Sequence, residues 1–93
     1  SHVNRAFLKL FPEGKTYRLG ESETTLGRDS SNSIRLDHSR VSRFHARILM
    51  EKDCYYIEDL NSIRGTKVNG TLIQGRHELQ NQDQIQIAQF VFE

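Results

Sequence analysis

Ala46-Arg47-Ile48-Leu49-Met50 and, shortly after it, Tyr55-Tyr56-Ile57-Glu58 decide the fold class. In the first run Ala46, Ile48 and Met50 alternate with His45, Arg47 and Leu49. In the second, Tyr55 and Ile57 alternate with Tyr56 and Glu58. A period of two sends successive side chains to opposite faces, which is the pattern of a strand with one face in a core and one in water. The same alternation recurs outward in both directions. Ala6, Leu8 and Leu10 share a face, as do Tyr17 and Leu19, then Ile34 and Leu36, and Ile85 and Ile87 alternate with Gln84, Gln86 and Ala88. No window shows the 3.6-residue apolar stripe of an amphipathic helix. Turn signals separate the runs: Pro12-Glu13-Gly14, Gly20-Glu21-Ser22, the polar stretch 29–33, and Gln80-Asn81-Gln82-Asp83. Val68-Asn69-Gly70-Thr71 reads as a two-residue hairpin, because Asn-Gly accepts the positive φ angles of a type I′ turn. Many short strands at this spacing predict an all-β sandwich or barrel.

Composition bounds what such a domain can do. The chain has 93 residues, 35% of them apolar, and 13 Lys and Arg against 12 Asp and Glu. That length is one domain, and a sandwich that buries alternate side chains folds with a sparse core. Near-zero net charge argues against a nucleic-acid binder, which normally has a basic excess. No apolar run approaches the ~20 residues of a membrane span, and no secretory leader pattern is present. One cysteine excludes an internal disulfide framework and fits a reducing compartment. The four histidines lack paired ligand spacing, so no metal or other cofactor is expected. Cys54 and His45 are the residues from which a nucleophile and base would be drawn, but no third orienting group is evident and an enzyme is not expected. Residues 1–5, beginning Ser1-His2, read as a cloning remnant or a flexible N-terminus, and 6–93 as the domain. The chain looks like a module cut from a longer protein.

Three stretches at strand ends or in loops stand out: Leu26-Gly27-Arg28, Val41-Ser42-Arg43-Phe44-His45, and Asp59-Leu60-Asn61-Ser62-Ile63-Arg64-Gly65-Thr66-Lys67-Val68-Asn69-Gly70. In this order on an all-β background they resemble the forkhead-associated (FHA) domain over nearly the whole chain. That resemblance implies a β-sandwich of about eleven strands whose loops at one end read phosphothreonine peptides. It implies a module of a larger intracellular signalling protein, often nuclear and in DNA-damage or cell-cycle pathways. Specificity is then expected in the loops 29–32, 37–40 and 63–66.

The chemistry of the residues supports those roles independently. Phosphothreonine brings about −1.5 to −2 charges and three strong acceptor oxygens. Arg28 supplies a planar cationic donor fork, better suited to phosphate than lysine, and Ser42 a small hydroxyl donor beside it. The resemblance adds Arg43, Arg64, Gly65 and Thr66 to the expected phosphate and peptide contacts. His45, which in the family stiffens the binding loops, is assigned with Gly27, Asn69 and Gly70 to loop support. The two glycines Gly27 and Gly65 read as positions where the backbone needs freedom.

One residue departs from the family pattern. Arg64 stands where the family usually has an Asn whose carboxamide holds the peptide main chain. Arginine has five donors and no acceptor, so it cannot accept a peptide N–H. Two readings stand open: a second cation for a phosphorylated or acidic partner, or a degenerate pocket on a homodimerisation or scaffold module. For the second, Phe7, Phe11, Phe90 and Phe92 are surplus aromatics expected to form a dimer surface.

Overall fold

A computed structural model describes residues 6–20 and 22–93. The expectation for residues 1–5 lies outside the described residues. Eleven strands run in chain order: β1 (Ala6–Phe11), β2 (Lys15–Leu19), β3 (Thr24–Gly27), β4 (Ile34–Arg35), β5 (Ala46–Glu51), β6 (Cys54–Asp59), β7 (Lys67–Val68), β8 (Thr71–Leu72), β9 (Arg76–Glu78), β10 (Ile85–Ile87) and β11 (Phe90–Phe92). They form a six-stranded sheet, β2-β1-β11-β10-β7-β8, and a five-stranded sheet, β4-β3-β5-β6-β9. This is an all-β sandwich, with eleven strands among the described residues. Among the described residues no helix is long and apolar enough to cross a membrane.

The alternation sets which face goes inward. Leu8 and Leu10 of β1, Leu19 of β2, Leu26 of β3, Ala46 and Ile48 of β5, Ile57 of β6, Val68 of β7 and Ile85 and Ile87 of β10 are buried together between the sheets. The β5–β6 hairpin is the longest ladder, pairing Ala46 with Asp59 through to Glu51 with Cys54. Its turn falls on Lys52 and Asp53, both at positive φ. Asn69 and Gly70 have φ of 52° and 84°, the type I′ turn their sequence predicts.

The C-terminal segment differs from the sequence reading. The alternation through Ala88 stops at Ile87, and the chain folds back so that Ile87 faces Phe90 and Ile85 faces Phe92. Ala88, at φ 53°, makes that turn without a Gly or Asn to announce it. The reversal puts Phe92 inward and fully buried. Burying a phenylalanine side chain contributes about 2–3 kcal/mol, so Phe92 is a core anchor and not part of a dimer surface. Phe90 is half-buried with its ring edge-on to His38, centroids 6.5 Å apart. Phe7 and Phe11 are exposed on the outer face of β1, so the aromatic cluster expected from the sequence does not form.

The register defines two ends. At the loop end lie the residues following β3 and β6 and those preceding β5, in segments 28–33, 36–45 and 60–66. The turns 52–53, 69–70 and 79–84 lie at the opposite end. β4 runs parallel to β3 after only a short loop, Leu26 opposite Ile34. Side chains make that tight return feasible: Ser33 N donates to Thr25 Oγ1 at 2.9 Å and Thr25 N donates to Ser33 Oγ at 3.1 Å.

Candidate functional site: the loop end of the sandwich

The loop end is held together by hydrogen bonds that run between loops. Arg28 N donates to Ser42 O at 3.0 Å and Asp29 N to Arg43 O at 3.1 Å. The first loop is thereby zipped onto the second. Asn32, buried, adds its Nδ2 to the Arg43 carbonyl at 2.7 Å and to the Asp29 carbonyl at 2.9 Å. Asp29 turns back on its own loop, accepting from Ser31 N at 3.0 Å and Ser31 Oγ at 2.6 Å. Those bonds, reinforced by the charges of Arg43 and Arg35, hold the Asp29 carboxyl below its ordinary value.

Gly27 explains how closely these loops pack. A Cβ there would lie 2.2 Å from the Arg43 carbonyl oxygen and 2.8 Å from Asn32 Nδ2. The position demands glycine for lack of space, with no left-handed backbone involved, which corrects the sequence expectation. Gly65 does need backbone freedom, with φ of +84°.

His45 is the post between the second and third loops. It is fully buried, Ser42 N donates to its Nδ1 at 3.1 Å, and its Nε2 lies 2.8 Å from Gly65 O. An acceptor at Nδ1 and a carbonyl opposite Nε2 assign the tautomer with the proton on Nε2. Main-chain bonds from His45 N to Leu26 O and from Leu60 N to His45 O complete the tie, each 2.9 Å. These bonds tie the second loop to the third and to the end of β3.

Asp59 braces the third loop, a role the sequence did not reveal. Its Oδ1 accepts from Ser62 Oγ at 2.6 Å and Thr66 Oγ1 at 2.7 Å, and its Oδ2 from Ser62 N at 3.1 Å. Ser62 Oγ in turn accepts from Gly65 N at 2.9 Å. Two expected peptide contacts are corrected here. Thr66 is fully buried and its hydroxyl is spent on Asp59. Both backbone polar groups of Gly65 are already paired, one with Ser62 and one with His45.

Arg28 and Ser42 remain as outward-facing polar groups with a fixed geometry. Arg28 is half-buried, and its Nε donates to Val41 O at 3.0 Å. That bond leaves the four N–H donors of the guanidinium tip for a ligand. Ser42 Oγ accepts from Ile63 N at 3.1 Å. One lone pair of the hydroxyl therefore anchors the third loop, and its O–H proton can be donated elsewhere. Arg43 and Arg64 are exposed around this pair. Phe44 and Ile63, 50% and 93% exposed, add apolar surface that the sequence reading did not use.

Asn69 and Gly70 do not support these loops. They turn at the opposite end, where Asn69 Nδ2 donates to Asp83 Oδ1 and Gln84 N donates to Asn69 Oδ1, each at 2.9 Å. Gln80 N also donates to the Asp83 carboxylate at 2.9 Å, and these bonds lower the Asp83 pKa. Cys54 lies at the far end of the β5–β6 hairpin from His45, about 15–20 Å away at the rise of a strand. Desolvation and a hydrogen bond with Glu78 raise the Cys54 pKa, opposite to what a nucleophile needs. A broad groove lined by Ala6, Leu19, Tyr55, Leu79 and Ile85 also opens at that far end. It shares no residue with the three loops.

A rigid two-sheet sandwich that gathers a fixed arginine, a serine hydroxyl and a histidine-braced loop at one end belongs to the class of modules that read ligands with loops. The model of the FHA domain family matches residues 24–88, and the chain belongs to that family. A curated relative, the transcriptional regulatory protein EmbR of Mycobacterium tuberculosis, is 36% identical over 87 residues, 94% of this chain and 22% of EmbR. The chain thus spans about a fifth of that relative's length. Among solved structures, Mycobacterium tuberculosis EmbR in complex with a low-affinity phosphopeptide superposes with a TM-score of 0.89 at 35% identity, covering 92% of this chain and 23% of that one. The FHA domain of the CT664 protein from Chlamydia trachomatis gives 0.90 at 27% identity, covering 96% and 94%. These relatives are bacterial, so the expected setting in a nuclear DNA-damage or cell-cycle adaptor finds no support in them.

Proposed function

We propose that this domain binds a phosphothreonine-containing segment of a partner protein, as one module of a longer intracellular signalling protein, and performs no catalysis. The observation that carries the proposal is the pairing of Arg28 with Ser42. Arg28 is tethered through Nε, so its tip is aimed without the entropy cost of a free side chain. Ser42 is tethered through its acceptor side, so its proton points to a ligand. A dianionic phosphate supplies the acceptors that both donors lack. The phosphopeptide held by EmbR, a relative of this chain, agrees with that chemistry.

The second reading, a degenerate pocket on a scaffold or homodimer, retains the Arg64 departure as its support. Its proposed aromatic surface loses Phe92 to the core. Fluorescence anisotropy with a threonine-phosphorylated peptide library and its unphosphorylated counterpart separates the readings. Phosphate-dependent binding that disappears in Arg28→Ala supports the first. Absence of binding by every phosphopeptide leaves the second.

A further inference from the structure

Charged groups at the loop end are in two different states. The carboxylates are consumed by internal bonds: Asp29 by Ser31, and Asp59 by Ser62 and Thr66. Asp37 sits 3.7 Å from Arg35. Arg40, Arg43 and Arg64 are exposed and, among the described residues, make no ion pair within 4 Å. The outer face of the five-stranded sheet is organised differently. There Arg47 meets Glu58 at 2.6 Å and Arg76 meets Glu51 at 2.7 Å. The arginines of the sheet face are neutralised in place; at the loop end Arg35 meets Asp37 and Arg43 acts on Asp29, which leaves Arg40 and Arg64 without an ion pair among the described residues.

Arg64 is the one of these that stands in the third loop. Its neighbours on both sides are pinned: Ile63 N by Ser42 Oγ, and Gly65 by Ser62 Oγ and His45. Its root is therefore fixed one residue from the hydroxyl assigned to the phosphate. Its guanidinium offers donors only, so it is matched by an anionic acceptor on the ligand. The exposed Ile63 and Phe44 alongside would be covered by a bound peptide, and their desolvation strengthens a nearby ion pair.

The geometry points to a second anionic subsite at Arg64: the preferred ligand is a phosphothreonine peptide carrying an acidic side chain beside the phosphothreonine. This rests on the phosphothreonine reading above and adds to it the chemical class of the flanking residue. A carboxylate and a second phosphate share the chemistry that arginine recognises, and the peptides below distinguish them.

The test uses labelled phosphothreonine peptides that differ only in the residues flanking the phosphothreonine: alanine, aspartate, phosphoserine or lysine. Wild type, Arg64→Asn and Arg64→Lys are compared, with circular dichroism to establish that each is folded. Wild type should bind the aspartate peptide about two- to fivefold tighter than the alanine peptide, the upper part of the range expected of an exposed ion pair. The lysine peptide should be weaker than both. A larger gain for phosphoserine than for aspartate identifies a second phosphate as the better ligand; the reverse identifies a carboxylate. In Arg64→Asn the ratio of aspartate-peptide to alanine-peptide affinity should shrink below twofold, and Arg64→Lys should retain part of it. Equal affinity for the aspartate and alanine peptides overturns the inference and leaves phosphothreonine binding intact. A preference that persists in Arg64→Asn overturns the assignment to Arg64. Failure of wild type to bind any of the four phosphothreonine peptides overturns the phosphothreonine reading itself.

Discussion

Gly27→Ala tests whether the loop end is as tightly closed as its hydrogen bonds indicate. The new Cβ would sit 2.2 Å from the Arg43 carbonyl oxygen. Restoring van der Waals contact requires about 1 Å of separation between β3 and the second loop. The Arg43 carbonyl accepts from Asp29 N at 3.1 Å and from Asn32 Nδ2 at 2.7 Å, so that movement stretches both bonds beyond useful range. Two hydrogen bonds at about 0.5–1.5 kcal/mol each, plus about 1–3 kcal/mol for overpacking, give a loss of about 2–6 kcal/mol. A domain of this size has roughly 5–14 kcal/mol of stability in total. With a urea m-value of about 1.3 kcal/mol/M, the unfolding midpoint should fall by about 1.5–4.5 M. Gly20→Ala is the control, since a Cβ at Gly20 meets nothing within 4 Å. Below its lowered midpoint, Gly27→Ala should also lose more than tenfold in phosphopeptide affinity, because Arg28 and Ser42 flank the displaced contact. A midpoint within about 0.5 M of wild type would refute the close-packing argument.

Other variants separate the two ends of the sandwich. Ser42→Ala should weaken phosphopeptide binding at least tenfold by anisotropy, yet cost only about 1 kcal/mol in urea, because it removes one hydrogen bond to Ile63 N. Asn69→Ala should do the reverse, lowering the urea midpoint while phosphopeptide affinity stays within twofold of wild type, since its bonds run to Asp83 and Gln84. The Asp83 carboxyl, depressed below its ordinary 3.8 by bonds from Gln80 and Asn69, stabilises the fold above that value, and the contribution is lost as pH falls through the lower folded-state pKa. Asp83→Asn should therefore be less stable than wild type at neutral pH and lose less stability as pH falls through 3.8 and below in acid titrations followed by circular dichroism.

The parts of this molecule that were legible in sequence are those specified locally. The alternations of β1, β5 and β6 gave the inward faces directly, because period two is a property of the strand alone. Asn69-Gly70 announced its turn through the φ angles those residues tolerate. The turn at Ala88 carried no such signal, so Phe92 looked like surplus surface and turned out to be core. At the site, Arg28, Ser42 and His45 were visible as a spaced motif. Whether Thr66 faced a ligand or the interior was not visible, since that depends on where Asp59 sits in the folded third loop. The reason for Gly27 was hidden for the same cause: the obstacle is a carbonyl sixteen residues away in sequence, at Arg43. Local pattern locates strands and motifs, and tertiary contact decides which motif residues remain free for a ligand.

The central claim is that Arg28 and Ser42 form a phosphate-reading pair. Its most direct test is a titration of wild type, Arg28→Ala and Arg28→Lys with one phosphothreonine peptide and its unphosphorylated twin. The account predicts binding of the phosphorylated peptide alone, near-complete loss in Arg28→Ala, and only partial recovery in Arg28→Lys, because lysine keeps the charge and loses both the planar fork and the tether to Val41. Equal binding of the two peptides by wild type, or undiminished binding by Arg28→Ala, would contradict it.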